Sequence, residues 1–163
     1  MMIHLAADAH QKIKTANTSP LTKRSIYLFT AVALVSLLGL ADATYLTIEH
    51  VTGQSVRCTI IAGCSEVLSS RYAVVAGMPL ALVGAAAYFT VFALATLSAF
   101  GYRFAPTILN VLVAAMVLVS VWLIYLQAFV IRSFCQYCLF SAAISFVMGI
   151  LLSVQYALAY RRR

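Results

Sequence analysis

Four stretches of the chain, residues 26–48, 74–100, 106–131 and 133–160, run past twenty residues almost without charge. Only the first carries a charged side chain, Asp42, near its far end. About 20 apolar residues in helical form cross the hydrocarbon of a bilayer, so each stretch is long enough to span it. Hydrocarbon offers the backbone no hydrogen bonds, and a helix satisfies its own. The expected fold is therefore all-α, an integral membrane four-helix bundle. Composition points the same way, because only 9% of the 163 residues are charged and 64% are hydrophobic. A soluble domain keeps about a quarter of its residues charged. Pro79 is expected in the first turn of the second helix, where a missing N–H does little harm.

The formal net charge of +7 could suggest a nucleic-acid partner, but the cations sit at the ends of spans rather than on one face. Membrane orientation accounts for them better. With the N-terminus in the cytoplasm, Lys12, Lys14, Lys23, Arg24, Arg103, Arg161, Arg162 and Arg163 all lie inside, and only Arg57, Arg71 and Arg132 lie outside. That is the positive-inside pattern. It expects a cell-membrane protein with both termini cytoplasmic. The chain then divides into a cytoplasmic tail (1–25), a four-span domain (26–160) and a basic end (161–163). The first 25 residues hold no apolar run, so no cleavable leader is expected. The long first connection, about residues 52–73, faces out as an extracytoplasmic loop. The second connection, 101–105, is tight, and the third is little more than Arg132.

All four cysteines then fall at the outer face: Cys58 and Cys64 in the loop, and Cys135-Gln136-Tyr137-Cys138 where the fourth span begins. One reading is a pair of structural disulfides in an oxidising compartment. A four-thiolate zinc site fits less well, because only one pair has metal-ligand spacing. Redox chemistry fits the local physics better. Ser133 and Gln136 have the spacing of a capping box, which predicts a helix starting at Ser133 with Cys135 in its first turn. Unpaired amides and the dipole at a helix N-terminus stabilise thiolate and make it available for exchange. Side chains three apart on a helix are near enough to be bridged with modest tightening.

These residues resemble the vitamin K epoxide reductase family in its bacterial single-domain form, over about residues 26–156. The likeness rests on Asp42-Ala43-Thr44-Tyr45-Leu46-Thr47, Cys58 and Cys64, Ser70 six residues further on, Gly77-Met78-Pro79-Leu80-Ala81, and the Cys-x-x-Cys. The resemblance implies a thiol–quinone oxidoreductase that supports disulfide formation outside the cytoplasm. In it, Cys58 and Cys64 are oxidants of a separate, extracytoplasmic thioredoxin-like protein, with Cys58 nearer the partner. Cys64 exchanges with Cys135, and Cys138 faces a membrane quinone, ubiquinone or menaquinone. No metal is called for. Animal members carry a Tyr four residues after the motif and an Asn at the start of the second span as quinone contacts. Here those places hold Ala142 and Leu80.

Of the remaining polar residues, Ser70 is expected near the reactive pair, or as the cap of a short loop helix. Gln127, an amide in hydrocarbon, must find a partner, either on another helix or on a quinone carbonyl. Ser70 and Gln127 are thus the candidate quinone contacts. Asp42 is an ionisable group within a span, which marks function by default, or it caps a helix end or pairs with Arg132. Trp122 and most of the tyrosines are expected in packing or in the aromatic belts. Two rivals remain. A Dsb-type quinone reductase places its Cys-x-x-Cys first, the reverse of the order here. A non-catalytic tetraspan protein would hold two structural disulfides.

Overall fold

The computed structural model describes residues 23–53, 63–75 and 77–160. The N-terminal tail before Lys23, Arg57, Cys58 and the basic end after Tyr160 lie outside the described residues. Among the described residues four helices are long and apolar enough to cross a membrane: α1 (Lys23–Thr52), α3 (Leu80–Ala99), α4 (Ala105–Tyr125) and α5 (Gln136–Tyr160), with α2 (Cys64–Leu68) a short helix in the first connection. The chain is a multi-pass, all-α membrane protein.

Packing follows helical period. Buried positions recur at three- and four-residue steps: Phe29, Val32, Ser36, Gly39, Ala43 and Leu46 on α1, and Tyr88, Val91, Ala95 and Ser98 on α3. Leu109 and Val113 of α4 join Ile144, Met148 and Leu152 of α5 in the same core. The large apolar side chains on the opposite faces, such as Leu34, Phe89, Leu118 and Ile150, are exposed. That outward apolar surface is what a bilayer accepts and water does not. Small residues let α1 and α3 approach closely, as in other membrane helix pairs: Gly39 lies against the Tyr88 ring, which a Cβ there would overlap. Several serine and threonine hydroxyls within the spans return to their own helix, as with Ser36 to the Ala33 carbonyl at 2.7 Å and Ser98 to that of Leu94 at 2.7 Å. No water is needed to satisfy them.

The structure departs from the expected spans at three places. Residues 74–79 do not start the second helix. They form a minimal antiparallel pair, Val74–Val75 with Met78–Pro79, turned at Gly77 with φ 81°. Proline pushes the residue before it into extended backbone, so Met78 stays in the strand and Pro79 is the N-cap rather than a first-turn residue. At the end of α4 the helix widens into a π-helical segment, Leu126–Ile131, closed by Arg132 in the left-handed region at φ 56°. Finally α5 begins at Gln136, so the capping box at Ser133 is not formed. Residues 132–135 are non-helical, and a different set of bonds sets the helix start.

Candidate active site

Cys135 is itself the N-cap of α5. Its carbonyl accepts the first helical bond, from Leu139 N–H at 3.0 Å, and its sulfur takes the place usually held by a capping oxygen. The Cys138 thiol donates to that sulfur, and the backbone amides of Cys138 and Tyr137 add to it. Together these outweigh burial and the charge of Asp42, and lower the Cys135 thiol from 9.0 to about 7. Cys135 and Cys138 are both free thiols. Half of Cys135 is then thiolate at pH 7, where a thiol left at 9 would hold only about a hundredth. Alkylation of Cys135 in the reduced protein, resolved by mass spectrometry, should therefore rise with pH through a midpoint near 7. A midpoint near 9, the value expected of the denatured chain, would show that the helix cap does not act on the sulfur.

What holds Cys135 in this place is Gln127. Its Oε1 accepts the Cys135 backbone N–H at 2.8 Å, in a buried contact. A π turn carries an extra residue and re-aims the side chains around it, and here it turns Gln127 inward to 2% exposure. The sequence expects Gln127 to bond to another helix or to a quinone carbonyl. The oxygen goes to the backbone just ahead of α5, while the residue still lines the cavity described below.

Above this cap lies the first connection. Cys64, held in a disulfide, is buried in one apolar cluster with Leu46, Val67 and Cys135. Gly63, at φ 136°, makes the approach possible: a Cβ there would sit 2.9 Å from the Phe134 carbonyl oxygen and 3.2 Å from Ser133 Cβ. An L-residue would meet both a forbidden conformation and a backbone clash. Cys58 lies outside the described residues.

Below the cap, a cavity of about 270 Å³ opens between α1, α3, α4 and α5 and is closed by α2 and the turn after it. Its wall is mostly apolar. Cys138 lines it, and Cys135 does not. Ser70 lines it too, although its hydroxyl donates to the Val67 carbonyl at 2.7 Å and so caps α2. The polar floor is one that sequence reading missed. The Tyr88 hydroxyl donates to the Ser141 carbonyl at 2.8 Å and meets the Ser141 and Ser145 hydroxyls at 2.8 and 3.2 Å. A serine pair four apart just past the Cys-x-x-Cys was the available signal. Asp42 also reaches the cavity, and no ion pair joins it to Arg132 among the described residues. The Tyr45 and Tyr137 rings meet at a tilt of 45° beside the cap with centroids 5.4 Å apart, and Trp122 stacks on Tyr125 at 5.9 Å on the exposed side of α4.

The family model described as the vitamin K epoxide reductase family matches residues 30–153. The chain is also 38% identical over 117 residues to the thiol-disulfide oxidoreductase LTO1 of Arabidopsis thaliana. That match covers 64% of this chain but spans only 30% of the plant protein's length.

Proposed function

Because the chain belongs to the vitamin K epoxide reductase family, we propose that this membrane thiol oxidoreductase is quinone-dependent and forms disulfides outside the cytoplasm. Its catalytic cysteines are Cys58, Cys64, Cys135 and Cys138, and its protein substrate is a separate thioredoxin-like thiol donor. The observation that carries the reading is the placement of one motif between two sites: Cys135 is buried in one cluster with Cys64, and Cys138, packed against that cluster, also lines the cavity.

The residues suit a quinone. Ligand pockets run upward from about 300 Å³ with apolar walls and few polar groups, and this one is near that lower bound with Tyr88, Ser141 and Asp42 at its floor. In this reading Gln127 and Ser70 are the contacts to the ring oxygens, while the Tyr88 hydroxyl, which already donates to Ser141, only borders the ring. When bound, the quinone supplies the electron sink: dithiol and quinone become disulfide and quinol. The chain's own part is thiol exchange. Thiolate at Cys135 attacks Cys64 in the loop disulfide, and Cys138 then attacks Cys135 to close the motif; the same steps in reverse carry electrons from the loop to the cavity. A tenfold bias for a two-electron couple takes only about 30 mV, which the difference between quinones and protein thiols readily exceeds. The excess of Lys and Arg on one side supports cytoplasmic termini, an outward loop and a four-span domain over residues 26–160.

The test is a thiol trap in intact cells that produce the chain. A membrane-impermeant maleimide should label the cysteines when quinone synthesis is blocked and should label few of them when quinone is supplied. Labelling that ignores quinone supply would favour structural disulfides. Labelling only after the membrane is breached would put the cysteines on the cytoplasmic side and sink the disulfide-forming role.

A further inference from the structure

Asp42 has no role in the thiol exchange just described, yet its placement is the least ordinary in the molecule. It is half-buried, at the edge of the buried stripe of α1 that carries Gly39, Ala43 and Leu46. Its Oδ2 is buried and has no hydrogen-bond partner, alone in this among the buried side-chain oxygens and nitrogens of the described residues. Folds rarely leave a buried polar atom unpaired, and an exception points to a ligand or a catalytic use. A carboxyl inside a membrane-spanning segment raises the same expectation. Here the unpaired oxygen belongs to a residue lining the same cavity as Cys138, and its charge reaches Cys135, Cys138 and Tyr88.

We propose that Asp42 is the proton carrier of the cavity, accepting the proton of the Cys138 thiol as the Cys135–Cys138 bond forms and passing it to an oxygen of the quinone. The inference rests on the quinone reading above. The balance is direct. Cys135 thiolate, Cys138 thiol, quinone and one proton from water become disulfide and quinol. One S–S bond forms, two electrons reach the quinone, and of the two protons on the quinol one is water's and one is that of Cys138. The other titratable groups facing this space are less suited. Tyr88 is engaged by Ser141 and Ser145. His50, two turns further along α1, and Tyr72, in the turn after α2, line the cavity near its loop-covered end, and Cys135 is outside it. α4 contributes no titratable side chain to the wall.

The experiment compares wild type with Asp42→Asn and Asp42→Glu, purified in detergent. The first readout needs no quinone: an infrared difference spectrum between the oxidised and dithiothreitol-reduced protein. A carboxyl C=O band should appear in the wild type and vanish in Asp42→Asn. The second readout is reduction of a short-chain ubiquinone by dithiothreitol. Proton transfer by a placed side chain is worth about 100-fold or more, so Asp42→Asn should lose about that factor. Its pH profile should lose one ionisation, and Asp42→Glu should recover a substantial part of the rate. A wild-type spectrum without a redox-linked carboxyl band overturns the role of Asp42, whether or not the variants fold. So does an Asp42→Asn protein with wild-type rate and pH profile. Wild-type protein that leaves the quinone unreduced overturns the quinone reading itself, and the Asp42 role with it.

Discussion

Replacing both loop cysteines, Cys58→Ser together with Cys64→Ser, should leave dithiothreitol-driven quinone reduction running while turnover with a thioredoxin-like protein falls to background. The reason is access. Cys135 has no exposed surface, and Cys64 and Val67 pack over it. A folded protein cannot present its thiol there, so it needs the loop pair as an intermediary. A small dithiol needs none, because Cys138 is only partly buried and lines the cavity. Changing Cys135 or Cys138 should abolish both activities. Either change leaves no disulfide for the donor to reduce and no dithiol to release two electrons. The measurement is quinone absorbance against time for purified variants. A loop double variant that is dead with dithiothreitol, beside a Cys138 variant that still turns over, would make the loop pair the quinone-facing one.

Cys138→Ser alone should also trap the chain between its two cysteine pairs. Cys135 carries the thiolate favoured by the α5 cap, and Cys64 is its packed neighbour. Attack of Cys135 on the loop disulfide then yields a Cys64–Cys135 bond, and the thiol that would resolve it toward the cavity is missing. Thiol–disulfide exchange goes through such a mixed disulfide as a matter of course. Mass spectrometry of the unreduced protein should find a loop peptide joined to the start of α5. A link from Cys58 to Cys135 instead would mean the two loop cysteines have exchanged roles. Quinone reduction in this variant should fall to background, because one sulfur cannot deliver an electron pair and close a bond by itself.

The broad plan of this protein was legible in its residues, and the reason is that hydropathy and charge act locally. Each span must be apolar along its whole length wherever its neighbours lie, so four runs announce four helices. Cations collect at the ends of spans for a reason that also does not depend on packing. The cysteines announce themselves by spacing, since Cys135 and Cys138 are three apart on any helix. Only the tertiary structure decided how these parts become a site. Ser133 and Gln136 have capping spacing, but Gln127, drawn inward by the π turn, holds the Cys135 amide at 2.8 Å and moves the cap to the cysteine. Tyr88 meets Ser141 across 53 residues of sequence. No period or propensity encodes that meeting, because it depends on how closely α1 and α3 approach at Gly39. The same holds for Asp42. Its position in a span was visible at once, but its unpaired oxygen depends on how the other three helices close around the cavity.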